Sequence, residues 1–160
     1  MGVELIDNRT KVKSSVENAG IAWLYEACGE IEAQTKRNSK VVSGKTKGSY
    51  FYMVDENAGE GYVGSSDENA VWEEFGTGEY ALGGDGRKNG WWIKVGYGIG
   101  EISPETARKY RWEKVRRDKN GSLAFVFTRG KKARKPLFKA FASTKNLLKR
   151  LLEEMFGSME

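Results

Sequence analysis

Ala70-Val71-Trp72-Glu73-Glu74-Phe75-Gly76-Thr77-Gly78 is the stretch on which the fold of this chain turns. Helical spacing places Val71, Trp72 and Phe75 on one face and sends Glu73 and Glu74 toward solvent. Gly76 supplies a stop, because a left-handed backbone costs glycine little. The reading is a short helix, anchored in a core by Trp72 and Phe75, that ends abruptly. The segment from Thr77 to Asn89 follows, carrying Gly83-Gly84-Asp85-Gly86, and then the pair Trp91-Trp92. A connection so long and glycine-rich is expected to project toward a partner.

Strand patterns flank this helix on both sides. Upstream, Tyr50 to Val54 and Gly61 to Gly64 are joined by Asp55-Glu56-Asn57-Ala58-Gly59-Glu60, a turn by composition. Asp67 or Ser66 is placed to cap the helix that follows. Downstream, Trp91 to Val95 and Leu123 to Phe127 read as strands, and Asn120-Gly121 as a hairpin turn. Ser103-Pro104 marks a helix start, with serine as N-cap and proline in the first position. The charged run from there to about Lys119 has helical character. Lys131 to Lys135 is a basic connector.

Long helices are predicted toward both ends. From Lys11 to about Lys36, Val12, Val16, Ala19, Trp23, Ala27 and Ile31 recur every three or four residues, with Asp7, Asn8 and Thr10 as candidate caps. After Pro136, Phe138, Phe141, Leu148, Leu152 and Met155 fall near one face. The order predicts an α+β fold: one antiparallel sheet packed by a long N-terminal helix and a C-terminal helix, with a long glycine-rich projecting loop. One domain over 1–160 accommodates it.

Composition narrows the chemistry. The chain has 160 residues, 39% hydrophobic and 31% charged, with a formal net charge of +5. It contains no histidine and one cysteine, Cys28. His-based triads, His-ligated metals and cysteine-rich zinc sites are therefore excluded. No apolar run has the length of a membrane span and no signal-peptide pattern opens the chain, so a cytoplasm is the expected compartment. Ser43-Gly44-Lys45-Thr46 matches the tail of a phosphate-binding loop. It lacks the earlier glycine (Ser39 stands there) and follows a helix instead of a strand. Glu73 and Glu74 diverge on their helix and cannot flank a sugar ring together. No enzymatic activity, cofactor or metal is expected.

Basic residues gather between Arg108 and Lys119 and between Arg129 and Lys135. Interleaved with Tyr110, Trp112, Phe125 and Phe127, they have the composition of a nucleic-acid surface. The alternatives are a solvated face or ionic contacts between subunits.

Three segments resemble the tail-completion, or head–tail joining (neck), family of tailed bacteriophages. Val41 to Ser49 is similar to a family loop at its glycine, basic and serine positions. Val63-Gly64 with Ala70 to Gly78 is similar to a strand end followed by a short helix closing in Glu-Phe-Gly-Thr-Gly, and Gly84-Asp85-Gly86-Arg87-Lys88 with Trp91 resembles the loop after it. Ala133-Arg134-Lys135-Pro136-Leu137-Phe138 resembles the family's basic-Pro-Phe-Leu helix start. Gly96 to Asn120 then looks like an insertion.

The resemblance implies a virion structural protein that forms a ring, a hexamer, in the neck or at the head-proximal end of the tail. Its partners would be copies of itself, neighbouring connector, tail-terminator or tail-tube proteins, and transiting DNA. Gly76, Thr77, Gly78, Gly84, Gly86, Arg87, Lys88 and Trp91 would form the subunit-interface loop, where β-branched substitutions at Gly76 and Gly78 should impair assembly more than folding. Lys45, Lys47, Arg116, Arg117, Lys131, Lys132 and Arg134 are candidates for contact with DNA or for ionic contact. The rival reading is a basic nucleic-acid-binding accessory protein.

Overall fold

The computed structural model describes residues 7–40 and 44–157. Val41, Val42 and Ser43, which carry part of the first resembling segment, lie outside the described residues. The fold is α+β, with a long N-terminal helix and a C-terminal helix. Its β-strands form two antiparallel sheets, not the one expected. The chain groups into two compact units.

The first unit holds α1 (Arg9–Asn38), the hairpin of β1 (Tyr50–Asp55) and β2 (Glu60–Ser65), and α5 (Pro136–Gly157). The hairpin pairs Tyr50 with Ser65 through Asp55 with Glu60, and Asp55 Oδ1 accepts the Asn57 and Ala58 amides to hold the turn. Alternation puts Tyr50, Tyr52 and Val54 on the side that is covered, and Phe51, Met53 and Tyr62 on the exposed side. α1 packs on this hairpin: the Tyr25 and Tyr52 rings meet edge-on, their centroids 6.5 Å apart, and the Tyr25 hydroxyl donates to Glu56. Cys28 is buried, and burial pushes its thiol pKa up.

α1 also packs against α5, and there the expected stripe holds from Leu148 onward but not at its start. The buried positions of α5 are Pro136, Ala140, Thr144 and Leu148, while Phe138 and Phe141 are exposed. Small side chains at every fourth position let two helices approach closely, which phenylalanines would prevent. Thr35 and Thr144 satisfy their buried hydroxyls on Ile31 and Ala140 carbonyls one turn back. The Trp23 indole N–H donates to the Leu148 carbonyl. Val12 and Val16, at the start of the predicted α1 stripe, are exposed. Asn8 stands at the N-cap of α1 without a side-chain capping bond.

The second unit runs essentially from Asp67 to Lys135. It contains α3 (Glu68–Phe75), a 3-10 turn at Gly78–Tyr80, β3 (Trp91–Lys94), α4 (Pro104–Lys109), β4 (Val115–Arg117) and β5 (Leu123–Thr128). The single turn Lys45–Gly48 is α2. Asp67 caps α3 by accepting the Asn69 amide, and Ser103 caps α4 by accepting the Thr106 amide with Pro104 at its start. The sheet order is β3-β5-β4, both neighbours antiparallel to β5. Val126 of β5 is fully buried and Ala107 of α4 nearly so.

The expected helix toward Lys119 stops at Lys109. Tyr110 adopts extended backbone, the Trp112 indole donates back to the Ala107 carbonyl, and the chain continues into β4. With Gly121 at φ +80 and Asp118 Oδ1 accepting the Asn120 and Ser122 amides, the Asn120-Gly121 turn closes a β4–β5 hairpin. β5 is thereby paired along both edges, by β3 and β4. Among the described residues no helix is long and apolar enough to cross a membrane.

Candidate functional site

α3 is turned the opposite way from its sequence reading. Val71, Trp72 and Phe75 are exposed, Trp72 at 42% and Phe75 at 57%, so the two aromatics are not core anchors. Glu73 is the residue turned inward, its side chain only 12% exposed and paired with the Lys131 ammonium. Its carbonyl also accepts the amides of Arg134 and Lys135. One covalent position thus holds the basic connector at three points. The second carboxylate oxygen, Oε2, is buried without a hydrogen-bond partner among the described residues, and the Lys131 ammonium is the charge that compensates the carboxylate. Glu73→Ala is expected to cost about 1–3 kcal/mol by removing one partner of a largely buried pair, read by urea denaturation; an unchanged midpoint would contradict this placement.

The residues after α3 are bound into the unit instead of projecting from it. Gly76 ends the helix at φ +74, its amide donating to the Trp72 carbonyl. The Thr77 amide donates to the Lys131 carbonyl, the Lys131 amide donates to Thr77 Oγ1, and the Glu79 amide donates to the Arg129 carbonyl. Two backbone segments, Gly76–Glu79 and Arg129–Ala133, therefore lie side by side. A Cβ at Gly78 would stand 2.3 Å from the Arg129 carbonyl oxygen and 2.7 Å from the Trp91 ring, and one at Gly76 would stand 2.6 Å from the Tyr80 carbonyl oxygen. Both glycines are buried.

The rest of the predicted loop folds back on this strip. The Leu82 amide reaches the Phe75 carbonyl and the Gly84 amide the Ala81 carbonyl. Gly86 is pressed against the Gly78 carbonyl. Arg87 lies over the Trp91 ring, 5.4 Å from its centroid, and the Lys88 ammonium caps the Gly84 carbonyl. Gly84, Arg87 and Lys88 are exposed. Gly76, Thr77, Gly78, Gly86 and Trp91 are thus framework, and only the outer bend is free surface.

The predicted basic contacts separate in the same way. Lys131 is consumed by Glu73 and Arg129 by Glu79 and Glu113. Lys132 lies over the Tyr80 ring at 5.5 Å, and Arg134 gives its amide to Glu73. Arg117 donates to the Gly121 carbonyl, whereas Arg116 lies over the Trp92 ring, 4.3 Å from its centroid. Lys45 stands 4.0 Å from Asp67, and Lys47 is partly exposed. Among the described residues, no group of three or more acidic or cysteine side chains is placed to hold a metal ion.

No family model, curated protein or solved structure matches this chain. Its surface must therefore be read on physical grounds. An amphipathic helix that buries its glutamate and exposes a valine, a tryptophan and a phenylalanine leaves apolar area for another molecule to cover. The outer face of the β1–β2 hairpin, with Phe51, Met53 and Tyr62, is a second such surface. Sequence reasoning missed Glu73, Glu79 and Glu113, whose partners are distant in the chain. It also missed Arg116 over Trp92, because β4 itself was not foreseen.

One acidic group organises its own loop. Glu101 accepts from the Lys94 ammonium at 2.7 Å and from the Gly98 amide at 2.9 Å, and these bonds hold its carboxyl below the usual glutamate range. A depressed folded-state pKa adds stability above the unfolded value, about 4.3, that is lost as pH falls through the folded one. Cleavage within Gly96–Gly100 by an acid-active protease should rise below that range, and Glu101→Gln should already be cleaved faster at pH 7 by a protease active there. Equal cleavage of both proteins at pH 7 would contradict the assignment.

Proposed function

We propose that this chain is a structural subunit of a ring in the neck or at the head-proximal end of a phage tail, joining tail to head and letting DNA pass. The reading rests on the resemblance of Ala70–Gly78 and its flanking segments to the head–tail joining family. The observation that carries it physically is the outward-facing apolar side of α3, Val71, Trp72 and Phe75. A ring contact is head-to-tail, so each subunit needs two different complementary patches. The α3 face and the Phe51, Met53 and Tyr62 face of the hairpin are two such patches on one chain. Burial of one large apolar side chain contributes about 1.5–3 kcal/mol, set against the association entropy that each contact must offset.

In this reading the ring's neighbours are connector, tail-terminator or tail-tube proteins, and the protein resides in the virion after assembly in the host cytoplasm. Its role is mechanical and not catalytic. Deleting the gene from the phage or prophage that carries it should leave full heads and tails unjoined in electron micrographs. Normal infectious particles without the protein would refute the proposal.

A further inference from the structure

We propose that the outer face of the β3–β5–β4 sheet binds single-stranded nucleic acid, with bases stacking on its aromatic rings and phosphates meeting its cations. The face is built from two rows across the three strands. Lys94, Phe125 and Arg116 pair in one row, and Trp92, Phe127 and Lys114 lie together in the next. Phe125 and Phe127 are two apart on β5 and so share a face opposite the buried Val126. Rows two residues apart are about 6.6–6.8 Å from one another, a step that neighbouring nucleotides of an extended strand can follow.

Cations and rings alternate across this face. Arg116 lies over the Trp92 ring, and Lys114 over the Phe127 ring at 5.3 Å. The Trp92 and Phe127 rings meet edge-on at 5.4 Å. Phe125 remains 37% exposed and offers ring area to a base. Beyond Phe127 and Arg129 the surface continues into a shallow groove of about 240 Å³ lined by Tyr80, Tyr110 and Trp112 among others.

The charge favours phosphate, with defined exceptions. Lys94 is paired with Glu101, and Arg129 with Glu79 and Glu113. Lys114 and Arg116 have rings as partners, and neither forms an ion pair among the described residues. A guanidinium stacked on an indole presents its other plane to a base, and base–aromatic stacking tolerates any sequence. A duplex keeps its bases stacked inside and can use only the cations. The preference is therefore for single strands.

Fluorescence anisotropy with an oligothymidylate of roughly 15 nucleotides tests this. Full-length protein should bind it more tightly than a duplex of equal length. Phe125→Ala should weaken binding on the order of tenfold, while Phe125→Trp retains it. Arg116→Ala should lower the slope of log affinity against log salt by about 0.7. Circular dichroism verifies the fold of each variant. No binding at low salt, equal affinity for the duplex, or no loss on Phe125→Ala would overturn the proposal. So would Phe125-dependent self-association without oligonucleotide binding, which would assign the face to an acidic surface of a second copy. Ring assembly is scored separately: Trp72→Glu is expected to leave oligonucleotide binding intact, so the failure of one reading is distinct from failure of the other.

Discussion

Gly78→Val is expected to unfold the unit formed by Asp67 to Lys135. Gly78 sits at φ +60, where a side chain costs about 1–2 kcal/mol and a β-branched one is an outright outlier. The new Cβ would also meet the Arg129 carbonyl oxygen at 2.3 Å and the Trp91 ring at 2.7 Å. Forcing such atoms apart adds about 1–3 kcal/mol, and the backbone on one side of the clash is tied to the other by the Thr77–Lys131 and Glu79–Arg129 bonds. A total of several kcal/mol is a large share of the stability of any domain. Thermal denaturation followed by near-ultraviolet dichroism should show the transition lowered by more than about 10 °C. Gly84→Val is the control: Gly84 has φ +73 but open space around it, so it carries strain alone. Similar losses at both positions would refute the close-packed strip. The sequence placed the effect of Gly76 and Gly78 in assembly. The structure moves it to folding, because both glycines are where two backbones touch.

In the proposed ring, assembly is expected to depend instead on residues the sequence assigned to the core. Trp72→Glu combined with Phe75→Glu should leave the monomer folded, since Trp72 is 42% and Phe75 57% exposed, at a cost of about 1–2 kcal/mol for the partly covered ring area and for negative charge at the helix C-terminus. The same pair should abolish ring formation, because a charge brought into a desolvated contact costs several kcal/mol in each interface. Sedimentation velocity with a parallel dichroism spectrum reads both halves of the prediction. A double variant that still assembles would show that α3 does not face a neighbour. One that unfolds would show that Trp72 and Phe75 are core after all.

What could be read in the sequence was what local physics decides. The stripe of α1 from Ala19 to Ile31, the Asp55–Glu60 turn, the Asp67 and Ser103 caps, the Gly76 stop and the Asn120-Gly121 turn all depend on residues within a few positions of one another. The orientation of α3 was not legible. Its periodicity identifies an apolar face, but which face is buried was decided by Lys131, 58 residues away, and by the connector amides that bind the Glu73 carbonyl. The same limit hid the small-residue stripe of α5, where Ala140 and Thr144 are buried in preference to Phe138 and Phe141. Strand β4, three exposed residues long, carries no apolar alternation to reveal it. Glycine-richness suggested a projecting loop, yet Gly76, Gly78 and Gly86 serve close packing. Composition alone cannot distinguish a glycine that moves from one that is crowded.

The central claim is that this chain assembles through its exposed apolar surfaces into a ring. Native mass spectrometry of the purified protein, with negative-stain images of the same sample, measures it directly. The account predicts a closed homo-oligomer, a hexamer, with a central opening that is lost in the Trp72→Glu, Phe75→Glu variant. A strictly monomeric protein at assembly concentrations, with α3 unchanged in its exposure, would contradict it.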